Sequence, residues 1–218
     1  MKTERDKYVF LTKAPVSCVI LTMAIPTIIS MLITSAYNVA DTYFVGRINT
    51  QSTAAVGIAF SMMSVVQAVG FFFGHGSGNF MSRSLGARCV RRAQMMATTG
   101  LVLSWMTGCV VAIIGLAFLE PIAIGLGSTP TILPYAKDYL GIVLLGVPFM
   151  TTSFTLNNQM RFQGNAMYAM FGVLSGAVLN ILLDPLLIFS FDMGIHGAAM
   201  ATLISQVVGF LILLRMSF

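Results

Sequence analysis

An aspartate and an asparagine inside a long apolar stretch of this chain could do chemistry. Asp184 lies in the segment NILLDP, about seven residues past the middle of the apolar run 162–191. By helical rise, that places it roughly 10 Å from the midplane of a membrane-spanning helix. Asn180 precedes it by one helical turn, so the amide and the carboxylate share a helix face. Because an ionisable group at that depth is expensive to keep, it indicates a functional site.

A second acid has a similar setting. Asp41 follows the uncharged stretch 14–40, and Tyr37 lies one turn before it. If the first, fifth and sixth spans adjoin, these groups meet Thr202 of the last span. Carboxylate, amide, phenol and hydroxyl oxygens suit a hard cation such as Na⁺. Two carboxylates close together and away from water also favour a proton on one of them. We predict a pocket for H⁺, Na⁺ or each in turn.

Less functional interpretations of these acids remain open. Asp41 is near the end of its span and could cap the helix, and Asp184 could be a structural hydrogen-bonding group. We predict that Asn157, Gln206 and Met31 line a substrate cavity, with Asn157 also able to tie helices together. Pro26 inside the first span predicts a kink.

Other residues give weaker indications. His75 stands among glycines and is read as a packed histidine rather than a ligand. Gly70, Gly74 and Gly78, at four-residue spacing, predict a face of close helix packing, and Gly172 and Gly176 predict another beside Asn180. The cysteines show no metal-like spacing and read as apolar fillers. They are Cys18, Cys89 and Cys109.

The composition establishes the class of protein. Hydrophobic residues make up 57% of the 218 residues and charged residues only 9%, against about a quarter charged in soluble domains. The chain is an integral membrane protein. Its net charge of +5 comes from residues at the ends of apolar runs, which predicts membrane topology rather than nucleic-acid binding. The sequence shows no nucleophile–base set, metal-ligand cluster or phosphate loop, so we expect neither an enzyme nor a cofactor.

The charge pattern predicts an all-α protein with six transmembrane helices. Ten Lys and Arg residues fall on the side of the termini and two on the other, so both termini are predicted to be cytoplasmic, in a plasma (inner) membrane. Residues 1–13 read as a cytoplasmic segment and 14–218 as a six-helix lobe. The predicted helices are about 14–46, 53–80, 93–119, 139–160, 166–190 and 195–214.

Several segments resemble the multidrug and toxic compound extrusion (MATE) transporters. The match is densest in NILLDPLLIF (180–189) and GIHGAAMATLISQ (194–206). Shorter supporting segments are AYNVADTYFVGR (36–47), AAVGIAF (54–60), MSRSLGA (81–87) and RFQGN (161–165). The chain is similar to the N-terminal six-helix lobe of the prokaryotic branch that includes the DNA-damage-inducible-protein-F-like transporters.

The resemblance implies a function. Family members export organic cations and other amphiphiles in exchange for entering Na⁺ or H⁺, through two six-helix lobes. The family's cation site corresponds to Asp41, Asn180, Asp184 and Thr202, with Tyr37 nearby, and its kink proline to Pro26. The expected mechanism is competition between ion and substrate through one pocket.

The chain departs from the family in length, because a family member has about twelve helices and this chain has six. It could be a truncated chain or a natural half, and a parallel homodimer could imitate the missing lobe. One alternative is a lipid-linked oligosaccharide flippase-like protein. That is ranked second because no arginine lies in the middle of a span. The other is a non-transporting half that associates with a full-length partner.

Overall fold

Six long helices dominate the computed structural model, which describes residues 14–217. Each is long and apolar enough to cross a membrane, which confirms an all-α, multi-pass membrane protein. The predicted cytoplasmic segment 1–13 lies outside the described residues. The helices are α1 (Val16–Gly46), α2 (Thr50–Gly86), α3 (Val90–Ala117), the short α4 (Leu119–Gly125), α5 (Leu133–Phe162), α6 (Ala166–Pro185) and α7 (Gly194–Ser217). A π-helical turn, Leu186–Ser190, extends α6.

The helix ends follow local sequence signals. Asn49 caps α2 by accepting a hydrogen bond at its Oδ1 atom from the Ser52 backbone N–H, at 2.6 Å, which satisfies a donor that the helix itself leaves free. Pro134 occupies the first turn of α5, where its missing N–H does no harm. Gly164, at φ 82°, and Asp192, at φ 52°, turn the chain on either side of α6 and its π-helical turn.

Helices α5 and α2 extend the furthest beyond their predicted bounds. The structure begins α5 at Leu133 rather than at 139, and α2 covers 50–86 rather than 53–80. Lys137, whose charge suggested the later start, lies within α5. Its ammonium pairs at 2.9 Å with the Glu120 carboxylate of α4, a helix that the sequence reading left as loop. Charged residues can sit on a spanning helix where it leaves the hydrocarbon core.

Helix α5 is the centre of the lobe. In the most apolar stretch of α5, 61% of the residues are buried, against 11% in that of α1. Helices α2, α3 and α7 pack around α5, whereas α1 packs mainly along α6. The predicted glycine face of α2 is confirmed: a Cβ at Gly70 would lie 2.7 Å from Phe154 Cβ, and one at Gly74 would lie 2.9 Å from Asn158 Cβ. Only glycine allows α2 and α5 to approach this closely.

Polar side chains join α5 to α2 and α3, and we call this contact the α5 seam. The Thr155 hydroxyl lies 2.8 Å from Ser104 Oγ and 3.2 Å from the Gly70 carbonyl oxygen. The Gln159 amide donates to Ser77 Oγ at 2.9 Å and to the Ala97 carbonyl at 3.1 Å. These donors therefore have partners inside the protein, as burial away from water requires.

The second predicted glycine face joins α6 to α7. Gly172 lies directly against the Leu213 side chain, and a Cβ at Gly176 would lie 3.4 Å from the Ser205 carbonyl oxygen. The start of α7 is equally close to the π-helical turn, because a Cβ at Gly197 would lie 2.7 Å from the carbonyl carbon of Leu187. These close approaches place Asn180 and Asp184 beside α7.

Candidate functional site

The two intramembrane acids come together inside the lobe. Asp41 of α1 is 5% exposed and Asp184 of α6 is fully buried. They are near enough for their charges to interact. The packing of α1 along α6 therefore turns both carboxylates inward, as the sequence predicted, rather than toward lipid or bulk water.

Hydrogen bonding leaves these acids incompletely satisfied. The Asn180 amide is 3.4 Å from Asp184 Oδ1, a long contact. Within residues 14–217, Asp41 Oδ1, Asn180 Oδ1 and Asp184 Oδ2 are buried and have no hydrogen-bond partner. Buried oxygen acceptors without donors are unfavourable. Three such oxygens on neighbouring helix faces can be satisfied by a proton or a small cation.

Tyr139 of α5 completes the group, and the sequence reading missed it. Its side chain is 1% exposed, and it lies close to Thr202, Tyr37 and the two acids. The predicted start of the fourth span at 139 placed it at the membrane boundary. Pro134, a preferred residue of a first helical turn, was the signal that could have moved that start earlier.

A chamber of about 560 Å³ opens beside the acids. Helices α1, α2, α5, α6 and α7 line it, and Asn157, Gln206 and Met31 are all in its wall. Asn157 also donates to the Ala169 carbonyl at 2.9 Å, so it both lines the chamber and ties α5 to α6. Gln206 donates to Met150 Sδ at 3.5 Å, and its own Oε1 is buried without a partner among the described residues.

The acids and the chamber are separated by a thin wall. Tyr37, Asn180 and Thr202 line the chamber, whereas Asp41 and Asp184 do not. The sequence reading expected one pocket in which ion and substrate compete. Competition between ion and substrate stays a prediction: the carboxylates lie between the helices, and their polar neighbours form the adjacent part of the chamber wall.

Residues with weaker sequence signals have ordinary packing roles. His75 donates from Nδ1 to the Phe71 carbonyl oxygen at 2.9 Å, and its ring packs edge-on against Phe71 and Phe162. Pro26 is buried within a continuous α1, and its carbonyl accepts a hydrogen bond from Ser30 at 2.7 Å. Along residues 14–217, no three His, Cys, Asp or Glu side chains cluster as a metal site would require.

One basic residue lies where none was expected. The sequence reading ended the fourth span at Arg161 and placed its charge in a loop. In the structure Arg161 is on the last turn of α5 and lines the chamber. It stands at the end remote from Asp184, one turn beyond Asn157.

Comparisons with known proteins agree with this architecture. The MatE family model matches residues 26–186. The multidrug export protein MepA of Staphylococcus aureus strain MRSA252 is 31% identical over 208 residues, which cover 95% of this chain and 46% of MepA. MepA of Staphylococcus haemolyticus is 33% identical over 186 residues, covering 85% of this chain and 41% of that protein.

Solved structures give the same result. An outward-facing multidrug resistance MATE family transporter has a TM-score of 0.87 at 31% identity, covering 92% of this chain and 44% of the transporter. A MATE P26A mutant has a TM-score of 0.90 at 30% identity, covering 97% and 48%. The chain spans about half the length of the relatives it matches. It therefore belongs to the MATE family, a family of transporters rather than enzymes, and it spans one half-length lobe.

Proposed function

We propose that this chain is the cation-coupled lobe of a multidrug exporter that exchanges organic cations for Na⁺ or H⁺. One observation carries the proposal: two buried carboxylates, Asp41 and Asp184, have unpartnered oxygens directly behind the wall of a chamber large enough for a small amphiphile. Such an acid pair is expensive to maintain in a membrane without a function.

Coupling operates through the residues that separate the acids from the chamber. A Na⁺ or proton on the acid pair draws in the oxygens of Asn180, Thr202 and Tyr37, and these same residues line the chamber. Substrate then prefers one arrangement of the wall and the driving ion the other, so that linkage joins the two equilibria. Each charge carried inward by the membrane potential contributes about 2.3 kcal/mol per 100 mV.

The chamber lining supports amphiphilic substrates. Met31, Met63 and Met150 supply flexible apolar surface, and Phe71 and Phe154 supply aromatic faces. Flexible thioethers adapt to ligands of different shape, and aromatic faces attract organic cations. MepA, with which the chain shares 31% identity, is a multidrug export protein.

Topology completes the proposal. Lys and Arg are in excess where the first described span begins and where the last one ends. This supports cytoplasmic termini in the plasma membrane.

A second six-helix lobe is required to enclose the chamber in a two-lobe transporter, and a second copy of this chain in parallel orientation could supply it. Crosslinking in native membranes tests this; a chain that remains only monomeric there contradicts the homodimer.

The decisive experiment is reconstitution of the chain into vesicles containing a fluorescent organic cation. A Na⁺ gradient and a pH gradient are imposed separately, and dye movement against its own gradient is recorded. Movement driven by either ion supports the proposal and identifies the ion. If the chain moves no dye alone but copurifies with a twelve-helix partner, the non-transporting half is the better account. Movement of a lipid-linked oligosaccharide instead of the dye would favour the flippase-like alternative.

A further inference from the structure

Arg161 is a charged group in the chamber that the proposed exchange of cations does not use. Its Nε atom is buried and has no hydrogen-bond partner, and it forms no ion pair with any residue from 14 to 217. The guanidinium is always charged and carries five donors. Burying the Nε–H donor without an acceptor is unfavourable, and an anion at this end of the chamber would satisfy it.

The described acids are placed where they cannot supply that anion. Asp41 and Asp184 lie behind the wall at the other end of the chamber. Glu120 and Asp138 pair with Lys137 and His196 near the starts of α5 and α7. Asp192 is exposed in the turn before α7. The chamber therefore has one end close to the acids and one basic end. Within residues 14–217, no acidic side chain of the protein neutralises the basic end.

The spacing of the two ends limits what can occupy both. Asn157, one turn before Arg161, donates to the Ala169 carbonyl of α6. The basic end of the chamber therefore lies close to Ala169 along α6. From Ala169 to Asp184 is about 22 Å by helical rise. A compact organic cation near the acids cannot also contact Arg161, whereas a long-chain amphiphile with an oxyanion near one end can reach along the chamber.

The chemistry of the basic end specifies the ligand group. A guanidinium binds phosphate or carboxylate through paired, charge-assisted N–H···O bonds. Ser153, also in the chamber wall, has a buried hydroxyl without a partner among the described residues, and Phe71 and Phe154 provide apolar surface beside it. This lining suits an acyl chain leading away from an anionic group.

We propose that Arg161 binds the oxyanion of an amphiphile, a phosphate or a carboxylate, at the end of the chamber remote from the acid pair. This widens the substrate class from organic cations to zwitterionic and anionic amphiphiles. It rests on the proposed function only in taking the chamber to be the substrate site.

Two matched probes test the proposal by binding alone. Hexadecyltrimethylammonium and hexadecylphosphocholine share a chain and a quaternary ammonium and differ by the phosphate. Their affinities for the purified full chain are measured by calorimetry in maltoside micelles, for the wild type and for Arg161→Gln, Arg161→Lys and Arg83→Gln. Arg83 is exposed on the last turn of α2 and is absent from the chamber lining, so its variant is the control.

The expected result is a selective loss. Arg161→Gln should weaken hexadecylphosphocholine about tenfold or more and change the cationic probe less than about twofold. Arg161→Lys should retain part of the phosphocholine affinity, and Arg83→Gln should change neither probe. An equal loss for both probes would show that Arg161 merely supports the fold. Unchanged phosphocholine affinity in Arg161→Gln would also overturn the proposal.

A further arm identifies the source of the oxyanion. If inorganic phosphate displaces hexadecylphosphocholine, the site accepts a free anion; if only acylated phosphates compete, it accepts a lipid-like headgroup, and either result supports an oxyanion site. Gradient-driven dye export measured on the same variants separates this inference from the proposed function. If Arg161→Gln shows no selective loss of hexadecylphosphocholine while export is intact, the Arg161 site alone is overturned.

Discussion

The α5 seam and the acid site are equally buried but differ in how their polar groups are satisfied. In the seam, Thr155 and Gln159 are each bonded to more than one partner. At the acid site, Asp41, Asn180 and Asp184 each keep an oxygen without a partner among the described residues. Burial alone therefore does not mark function in this lobe.

The difference shows which contacts can change during transport. A seam whose hydrogen bonds are complete gains nothing from a bound ion and can hold α2, α3 and α5 fixed. A site with unsatisfied oxygens is stabilised by whichever cation or proton completes it. We therefore expect substitutions in the seam to alter stability, and substitutions at the acid site to alter binding and coupling.

The largest effect is expected from Asp184→Asn. The substitution keeps the size of the side chain but replaces one acceptor oxygen with an N–H donor and removes the charge that holds a cation. Coupled dye export should therefore be abolished while the protein remains inserted in the membrane. Vesicle transport and membrane-fraction yield measure the two outcomes. The control is Asp192→Asn, because Asp192 is exposed in the turn before α7. Export retained in Asp184→Asn would contradict the acid site.

Gly108→Ala should damage the α3–α5 contact without touching the acids. The added Cβ would press on Thr151 Oγ1 and lie 2.8 Å from Pro148 Cα. Pro148 Cα is a backbone atom, so it can move only if the helix moves. We expect a loss of about 1–3 kcal/mol in stability, seen as a lower melting temperature in detergent.

The matched control for that variant is Gly76→Ala on α2, where nothing lies within 4 Å of the new Cβ. It should leave stability unchanged or raise it by up to roughly 1 kcal/mol through helix propensity. Equal melting temperatures for the two variants would show that the tight packing of α3 on α5 does not limit stability.

Thr155→Val in the seam and Ser205→Ala in the chamber wall compare a bonded with an unbonded buried hydroxyl. The first removes a bonded hydroxyl and leaves the Ser104 and Gly70 oxygens without that donor, which should cost about 1–3 kcal/mol. The second removes a buried hydroxyl that has no partner among the described residues, and should change stability by less than about 0.5 kcal/mol. Chemical denaturation of both in the same detergent measures the difference. Similar losses would mean that hydrogen-bond partners do not decide how much a buried hydroxyl contributes to stability.

The smallest expected effect is that of Tyr139→Phe. Removing the buried hydroxyl close to Thr202 and the acids should lower the affinity for the coupling ion by roughly two- to tenfold, the equivalent of one hydrogen bond. Calorimetric titration with Na⁺, and the pH dependence of dye export, measure the change. A melting temperature that falls without any change in ion affinity would assign Tyr139 to the scaffold instead.

The sequence was sufficient for the membrane class and for the burial of Asp184, because apolar runs, charge-free lengths and four-residue glycine spacing are local signals. It was insufficient for Tyr139 and Arg161. Both lie near the ends of α5. Charged residues mark the end of a span in the sequence, but here they lie on the helix itself. Their inward direction depends on how α5 is rotated among four other helices, which no single-sequence pattern encodes.

The peripheral position of α1 has a consequence for how this lobe can diversify. This helix supplies one side of the chamber, including Met31 and Tyr37, yet buries little of itself. Exchanging side chains along its chamber face therefore disturbs few neighbours, and most such exchanges leave folding intact. The range of compounds recognised can therefore change in evolution through substitutions in α1, while the helices that hold the lobe together remain under strict constraint.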